Sequence, residues 1–477
     1  MPERFERAVQ VKPAVQTEHA EHAGQTEQTE RAERAGQTEQ TEQTAQTGQT
    51  AQTGQTEKTE RAEPTSPSAP HRSITWREAR SLAAALGTPR GTDTVALPDA
   101  LGRVLADDLV APYDIPHFAS SAMDGWAVSG AAPWRILEPQ PGPDPDPGTD
   151  PDPGPESAPV ATALAPATAL PIVTGATIPA GATSVLRSEL ALVNGNRLDL
   201  AAHARPGEPF DGQHIRRAGE EARSGETMIA AGTILNPVHI AVAALSSVDE
   251  LTVVRRPVVR FVFTGDEVVE CGRPAAGRVR DTFGVQLPGL LTLLGADVRG
   301  RQRAHDTLSS TVAALEAGIR DADIVITTGG TGHSSVDYVR DALQNIGANI
   351  VFDGIAMRPG GPTIFARAAN GCFVVGLPGN PLAAMVGLIC VAVPLIAACA
   401  GRPVPPLQTV QVAQAHAGRD GTTLVIPFSF VEGGAAPSER NGSAMMRGLA
   451  DADGLLEVPS GGLAAGAVAT SLALPWR

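Results

Sequence analysis

The middle of the chain alternates short apolar runs with longer segments of helical periodicity. "PVVRFVFTG", "DIVITTGG", "ANIVFDG" and "CFVVGL" are apolar runs bounded by glycine or polar residues, which predicts buried strands. "QLPGLLTLLGA", "LSSTVAALEAGIRDA" and "VDYVRDALQNIG" have apolar residues at helical spacing and predict helices between the strands. Apolar strands that alternate with helices are typical of a parallel sheet covered on both faces. We therefore expect an α/β domain over residues 255–404.

The flanking regions have a different pattern. Residues 72–254 combine one helical segment, "TWREARSLAAALG", with short strand-like runs and many turns, which predicts an α+β or β-rich region of two sub-domains. Residues 405–477 return to short strands and turns, which predicts a small β domain. The predicted fold class is therefore an α/β and β multidomain protein with the α/β domain in the centre.

Two further segments have too few apolar residues to build a core. Residues 1–70 repeat Gln-Thr-Glu and Gln-Thr-Gly units, and we expect a disordered low-complexity tail. Residues 139–159 are rich in proline and aspartate, which predicts an extended, exposed insertion. The net charge of −15, without any basic block, argues against a nucleic-acid partner.

The cysteines and the most apolar segment bear on the cellular location of the protein. The four cysteines include no CxxC pair, which is typical of a reduced, cytoplasmic protein. No apolar run near the N-terminus suggests a signal peptide. Residues 382–400 are apolar enough to cross a membrane, but a turn and a predicted strand precede them. We therefore expect a buried helix and no membrane association.

The candidate functional residues of the α/β domain follow the predicted strands directly. Thr264, Gly265, Asp266 and Glu267 follow the first strand, Thr328 to Gly332 and then Asp337 follow the second, and Leu377 to Pro381 follow the last. Because ligands of open α/β sheets bind at the carboxyl ends of the strands, we expect these residues to share one site.

Two of these turns suit a phosphate. In "GLPGNP", Pro381 fits the first turn of a helix, Asn380 is a good N-cap, and Pro378 and Gly379 fix the approach of the chain. The helix N-terminus would then present backbone N–H groups to an anion. Gly329 and Gly330 allow close backbone approach, and Thr331 adds a hydroxyl. An ordinary strand-to-helix turn would have the same sequence.

The acidic residues suggest a cation. Asp266, Glu267, Asp306 and Asp337 are expected at the same edge of the sheet, where converging carboxylates repel one another unless a hard cation such as Mg²⁺ lies between them. The alternative is that each caps a helix or faces solvent. In the N-terminal region, Asp124 of "SAMDGWAV", Thr174, the pair Arg216 and Arg217, and Glu221 are further candidates.

Taken together, these stretches resemble the molybdopterin molybdenumtransferase family, which includes the C-terminal domain of gephyrin. The matching segments, in the family's order, are residues 121–128, 174–176, 216–221, 264–267, 329–330, 358–360 and 377–381. The resemblance covers residues 72–477. It implies insertion of molybdenum from molybdate into adenylylated molybdopterin with release of AMP, usually with Mg²⁺. It also implies an elongated homodimer, in which the pterin site of the α/β domain is completed by the N-terminal region of the other subunit.

The resemblance also implies roles for individual residues. Those matching catalytic positions are Asp124, Thr174, Glu221, Glu267, Asp306 and Asp337. Those matching substrate-binding positions are Arg216, Gly329, Gly330, Thr331, Arg358, Pro378, Gly379, Asn380, Pro381 and Ser443. The implied metal ligands are Asp266, Glu267, Asp306 and Asp337. A molybdopterin adenylyltransferase and acceptor molybdoenzymes are the implied protein partners.

The sequence departs from the family at four positions. Gly361 replaces the lysine of the usual Pro-Gly-Lys-Pro, Ser335 replaces an acidic residue, Phe283 replaces asparagine, and Thr183 stands where aspartate is common. Arg358 could restore part of the lost positive charge. Two alternatives to an active insertase stay open: a non-catalytic carrier or regulator that binds molybdopterin or molybdate, and a molybdopterin adenylyltransferase. The simple adenylyltransferases have only the α/β domain, which disfavours the last alternative.

Overall fold

The computed structural model describes residues 74–138 and 163–477. The predicted tail and the predicted insertion lie outside these residues. The helices are α1 (Trp76–Leu86), α2 (Pro237–Leu245), α3 (Phe283–Leu293), α4 (Leu308–Ile319), α5 (Val339–Asn345), α6 (Pro381–Gly387), α7 (Val393–Cys399) and α8 (Arg447–Ala450). Short 3₁₀ turns occur at Leu97–Ala100 and Ser188–Leu190. A π-helical turn, Leu388–Ala392, joins α6 to α7, so that one helix runs from Pro381 to Cys399.

The strands are short and numerous. In chain order they are β1 (Thr92–Ala96), β2 (Leu109–Val110), β3 (Ser120–Ser121), β4 (Gly125–Val128), β5 (Trp134–Ile136), β6 (Thr168–Ile172), β7 (Ser184–Arg187), β8 (Ala191–Asn194), β9 (Arg197–Leu200), β10 (Ile215–Arg216), β11 (Thr227–Ile229), β12 (Glu250–Val254), β13 (Val258–Phe263), β14 (Val268–Val269), β15 (Val279–Arg280), β16 (Asp297–Arg303), β17 (Ile324–Thr328), β18 (Asn349–Asp353), β19 (Met357–Arg358), β20 (Ile364–Arg367), β21 (Phe373–Leu377), β22 (Leu407–Gln411), β23 (Thr423–Val431), β24 (Gly434–Pro437), β25 (Gly454–Val458) and β26 (Val468–Ala473).

The central sheet is mixed, not wholly parallel as the sequence pattern predicts. Its six strands run in the order β16-β13-β17-β21-β20-β18. The first four are parallel, whereas β20 is antiparallel to both β21 and β18. Only residues 368–372 connect β20 to β21, which is too short for a crossover and therefore requires antiparallel strands.

Helices cover both faces of this sheet, as predicted. Along β13, Phe261 and Phe263 pack into the apolar cluster that contains α1, α3 and the helix from Pro381 to Cys399. Val262, between them, points to the opposite cluster, which α4 and α5 complete. This alternation follows from the two-residue period of a strand, and it explains why the buried strands are apolar at nearly every position.

The most apolar helix lies inside the protein. The segment Pro381–Cys399 is long and apolar enough to cross a membrane, yet 94% of its most apolar window is buried within the described structure. It packs against the central sheet and against α1, whose Trp76, Ala79 and Ala83 belong to the same cluster. The helix α1 therefore packs with the central sheet, although its sequence lies in the N-terminal region.

The described residues form two further six-stranded sheets and four two-stranded pairs. One mixed sheet has the order β7-β4-β6-β5-β9-β8, and a second has the order β19-β23-β25-β26-β22, with β24 added beside β23. The strand β19 precedes β20 in sequence but pairs with β23 of the C-terminal sheet, so it links that sheet to the central region. The two-stranded pairs are β1–β12, β2–β11, β3–β10 and β14–β15.

Candidate active site

A cavity of about 690 Å³ lies at the carboxyl ends of β13, β17 and β21. The sequence-predicted residues that line it are Glu267, Asp306, Gly329, Gly330, Thr331, Asp337, Pro378, Gly379, Asn380 and Pro381. The parallel pairing of these three strands places their ends side by side, because Phe263 is level with Thr328 and Thr328 is level with Leu377. Residues that follow all three strands therefore line one cavity, as the sequence pattern predicts, whereas Asp266 does not line it.

Glycine is required where two loops of this cavity meet. Gly329 has a φ of +83°, and a Cβ there would lie 2.5 Å from Thr264 Oγ1. Its N–H donates to the carbonyl of Leu377 at 2.9 Å, which fixes the loop rather than binding a ligand. A Cβ on Gly379 would lie 3.6 Å from the Cα of Gly329, so the two backbones pass close to each other. Thr331, nearby, has a buried hydroxyl without a hydrogen-bond partner in the described structure.

Two of the predicted carboxylates hold the loops together. Asp306 accepts hydrogen bonds from the backbone N–H groups of Gly265 at 3.0 Å and Asp266 at 2.9 Å. Asp266 in turn accepts one from the His305 ring at 2.9 Å and a longer one, 3.4 Å, from the Asp306 N–H. The His305 contact and the Asp306 N–H hold the pKa of the Asp266 carboxyl below its usual range. This reciprocal clamp fixes the turn that carries Glu267.

The other two predicted carboxylates, those of Asp337 and Glu267, leave oxygens without hydrogen-bond partners among the described residues. One oxygen of Asp337 accepts hydrogen bonds from the N–H and hydroxyl of Ser334. Glu267 is exposed, and its carboxylate has no hydrogen-bond or ion-pair partner within residues 74–138 and 163–477. Across the same residues, no group of three or more His, Cys, Asp or Glu side chains is arranged to hold a metal ion. Side chains alone therefore form no complete cation cage here.

The turn "LPGNP" ends β21 and begins α6. Pro381 is the first residue of the helix and Asn380 is its N-cap, as predicted, but the Asn380 side chain makes no capping hydrogen bond. The N–H of Ala383, in the first turn, donates to the carbonyl of Ser443 at 3.0 Å. The C-terminal region thus covers part of this helix end, and Ser443 lines a cavity that adjoins the first.

A second cavity, of about 870 Å³, adjoins the first and shares Pro362, Pro378 and Asn380 with it. Its positively charged or titratable lining residues are His333, Arg358, His416 and Arg419. Asp353 also lines it, but this carboxylate is paired with Arg340. The lining also contains Gly361 and Ser443. The second cavity is therefore suited to an anion, although Gly361 contributes no charge.

The predicted residues of the N-terminal region line neither cavity. Asp124 accepts a hydrogen bond of 2.7 Å from the Thr174 N–H, which lowers the pKa of the Asp124 carboxyl. Arg216 lies on β10, which pairs with β3 a few residues before Asp124. Asp124, Thr174 and Arg216 are exposed, as is Glu221 farther along the chain. One chain therefore carries the predicted site residues on two separate surfaces.

Sequence reasoning missed a buried ion pair in the first cavity. Asp281 is 7% exposed and forms an ion pair with Arg303, with a nitrogen–oxygen distance of 2.9 Å. Its carboxylate also accepts hydrogen bonds from the N–H groups of Phe283 and Gly284 at the start of α3. Phe283 lines the cavity beside it. The signal was present in "DTFG", since aspartate is among the residues preferred for accepting hydrogen bonds from the first amides of a helix.

Comparison with protein families identifies relatives of this chain. Residues 74–246 match the model of the MoeA N-terminal region (domain I and II), and residues 260–398 match a probable molybdopterin binding domain. The chain is 31% identical over 331 residues to the molybdopterin molybdenumtransferase of Haemophilus influenzae, covering 69% of this chain and 78% of that protein. It is also 31% identical over 383 residues to molybdopterin molybdenumtransferase 2 of Mycobacterium tuberculosis, covering 77% and 90% respectively.

Solved structures agree on the fold. The crystal structure of a molybdopterin biosynthesis moeA protein from Pyrococcus horikosii matches 84% of this chain and 99% of its own, with a TM-score of 0.68 at 22% identity. Together with the 78% coverage of a relative that is 31% identical, the matches confirm the resemblance. The chain belongs to the molybdopterin molybdenumtransferase family.

Proposed function

We propose that this protein inserts molybdenum from molybdate into adenylylated molybdopterin and releases AMP, in a reaction that depends on Mg²⁺. The observation that carries the proposal is the adjoining pair of cavities. The first is lined by glycine loops and carboxylates, with Arg280 and the Asp281-paired Arg303 also in its wall, and the second contains Arg358, Arg419 and two histidines. The two cavities meet at Pro362, Pro378 and Asn380. A substrate that contains both a phosphate and an acceptor for an oxyanion fits such a divided site.

Each cavity supports one part of the reaction. Glycines at 329, 330 and 379 let the loops of the first cavity pack closely and so shape a place for a pterin or phosphate, and the unpartnered Thr331 hydroxyl in its wall is a further polar group. Arg358 and Arg419 in the second cavity offer planar donors to molybdate, which is an oxyanion. The reaction then depends on positioning and charge neutralisation more than on a covalent nucleophile.

The carboxylates of the first cavity could bind Mg²⁺ only if the substrate supplied further ligands. Mg²⁺ usually keeps several waters and binds one or two carboxylates plus substrate phosphates. Glu267 and the free oxygen of Asp337 are the groups that would hold it, since Asp306 and Asp266 already accept hydrogen bonds within the loops. The ion would supply neutralisation of the phosphate charge.

We infer a homodimer as the working form. Asp124, Thr174, Arg216 and Glu221 are exposed and line neither cavity, so they would reach the substrate only from another subunit. A two-fold dimer that brings the N-terminal region of one chain to the cavities of the other would complete two identical sites. We place the reaction in the cytoplasm, between a molybdopterin adenylyltransferase that supplies the substrate and molybdoenzymes that accept the product.

The direct test measures AMP release from adenylylated molybdopterin with Mg²⁺, with and without molybdate. We expect release to require molybdate and to fall by about 10²-fold or more in Glu267→Gln, which keeps the shape but removes the charge. Glu316→Gln, at an exposed position on α4, is the matched control and should behave as wild type.

Tight pterin binding without molybdate-dependent AMP release would contradict the proposal. It would favour a non-catalytic carrier or regulator, in which the loss of the lysine at Gly361 has removed the transfer step. Formation of adenylylated molybdopterin from ATP would instead indicate an adenylyltransferase.

A further inference from the structure

A third cavity, of about 360 Å³, lies where the strand pair β1–β12 meets the end of α3 and the start of β16. We call it the arginine cavity. Its charged lining residues are Asp93, Arg103, Arg255, Arg256, Asp297 and Arg299. None of these residues lines the two cavities of the candidate active site.

Three of its four arginines are neutralised by neighbouring carboxylates. Arg103 pairs with Asp93 at 2.7 Å, and Arg299 pairs with Asp297 at 2.8 Å. Arg255 donates to both oxygens of Asp323 at 3.0 Å. Both aspartates that line the cavity are therefore already paired with an arginine of the same cavity.

Arg256 is the exception. Within residues 74–138 and 163–477 its guanidinium has no ion pair and no hydrogen bond, and its Nε is buried without a partner. The Nε of Arg103 is also buried and unpartnered. Buried donors without acceptors are costly, so a ligand that accepts from them would stabilise this part of the fold.

A fifth arginine increases the positive charge. Arg402 is packed near Gly295, between α3 and β16, and donates to the carbonyl of Gly102. Burial, and then repulsion from Arg256 and Arg103, lowers the pKa of Arg402. Among the described residues, these five arginines face the carboxylates of Asp93, Asp297 and Asp323, which leaves a local excess of positive charge in a chain of net charge −15.

We propose that the arginine cavity binds a small tetrahedral dianion of the phosphate or sulfate class, with Arg256 as its principal donor. The planar guanidinium of arginine presents several N–H groups in the geometry that such oxyanions accept. The Thr292 hydroxyl at the cavity wall already donates to the carbonyl of Pro288 at 3.0 Å, so the arginines are the donors of this site. This site is independent of the proposed catalytic reaction.

A bound anion would stabilise the junction at which the arginine cavity lies. Arg255 and Arg256 form the link between β12, which pairs with β1, and β13 in the central sheet. Asp297 and Arg299 belong to β16, the edge strand beside β13. An anion held by Arg256 would neutralise the repulsion at this junction and raise the thermal stability of the protein.

The test titrates inorganic phosphate into the full chain by calorimetry, with sodium chloride at matched ionic strength as the reference. We expect saturable binding, with sulfate competing for the same site. Arg256→Gln should weaken the phosphate affinity about tenfold or more, as expected for loss of hydrogen bonds from a charged group. Arg320→Gln, which removes an exposed arginine after α4, should leave the affinity unchanged.

Arg358→Gln separates this site from the second cavity of the active site. Phosphate binding that is lost in Arg358→Gln but kept in Arg256→Gln would overturn the proposal, as would wild-type protein that responds to phosphate no more than to chloride. If Arg256→Gln does not fold, Arg256→Lys keeps the charge but loses the planar fork. It should still weaken phosphate binding, and unchanged affinity would count against the site.

Discussion

Asp124 and Thr174 act as a unit at the residue scale, because the Thr174 N–H donates to the Asp124 carboxylate at 2.7 Å. We expect Asp124→Ala to release the Thr174 loop and, under the proposed function, to lower AMP release by about 10²-fold, the cost of misplacing a group that positions the substrate. The thermal midpoint should hardly change, since both residues are exposed. Enzyme assays and thermal unfolding of the same preparation check both statements.

Asp199→Ala is the matched control, because Asp199 lies in the same region and its carboxyl pKa is also lowered, by Arg197. It should keep wild-type activity. The Asp124 contact also has a predicted pH dependence. Because the folded-state pKa lies below the ordinary value, the contact persists as pH falls through the usual carboxyl range. It is lost only as pH falls through the lowered pKa.

The sequence predicts which residues share the site better than it predicts what each one does. Glu267, Asp306 and Asp337 line one cavity because parallel strands place their carboxyl ends on the same edge. The sequence does not reveal that Asp306 accepts two backbone hydrogen bonds, whereas the Glu267 carboxylate accepts none from the residues that the structure describes. Those contacts depend on the conformations of two loops that are far apart in sequence, and short-range patterns do not determine such conformations.

At the scale of the element, two helix starts differ in how they are capped. Thr75 and Glu78 form a reciprocal capping box at the start of α1, whereas the side chain of Asn380 does not cap α6. We therefore expect Thr75→Ala to cost about 1 kcal/mol of stability, the usual value of a cap. Asn380→Ala should cost much less and should instead weaken substrate binding, since Asn380 lines both cavities.

Urea unfolding midpoints and the KM for the pterin measure these two effects. A larger loss of stability in Asn380→Ala than in Thr75→Ala would contradict this assignment.

Glycine has opposite effects in two helices. A Cβ on Gly387 of α6 would lie 2.5 Å from Thr363 Oγ1, so Gly387→Ala should destabilise the protein by about 1–3 kcal/mol through overpacking. Gly289 of α3 has no atom within 4 Å of an added Cβ, so Gly289→Ala should stabilise by up to about 1 kcal/mol through helix propensity. Thermal unfolding compares them directly, and equal signs for the two variants would refute the packing argument.

The helices and buried strands of the centre follow their sequence patterns closely, and the deviations have local causes. The strand β16 has the sequence "DVRGRQR" and lies at the edge of the sheet, where it needs no continuous apolar run. The strand β20 has no helix after it and returns directly to β21, which makes the sheet mixed. Edge position and short connections are properties of topology, and hydrophobic periodicity does not encode them.

At the scale of the whole molecule, the two groups of site residues make the dimer testable. Asp124→Asn and Glu267→Gln chains should each be inactive alone. When they are co-expressed in equal amounts, we expect about one quarter of wild-type activity, since half of the dimers are mixed and each mixed dimer has one intact site. Activity that stays absent in a mixture of verified dimers would show that each site is built within one chain.

The thiols report on the integrity of the whole fold. Burial raises the pKa of Cys372 and Cys390 to about 12 and that of Cys399 to about 11, while Cys271 is exposed. We expect a thiol reagent at pH 8 to modify one cysteine of the native protein and all four after denaturation. Rapid reaction of a second thiol under native conditions would contradict the described packing.

The same pKa values predict weaker folding in alkali. The unfolded chain releases its thiol protons near the ordinary pKa of about 8.5, whereas the folded chain holds them to about 11 or 12. The thiol contribution is therefore fully present below the ordinary value and is lost as pH rises toward the folded-state values. Unfolding midpoints measured between pH 8 and pH 11, with serine variants as controls, would show this slope.

The order of synthesis bears on the helix from Pro381 to Cys399. Every strand of the central sheet, and also α1, precedes this helix in sequence. The central sheet and α1, which pack against this helix, have therefore been synthesised before the helix leaves the ribosome. A segment with the composition of a membrane anchor can then be buried as soon as it emerges. A circular permutant beginning at Pro381 would reverse that order. Its nascent chain would expose the helix to targeting factors and chaperones while leaving the finished fold unchanged.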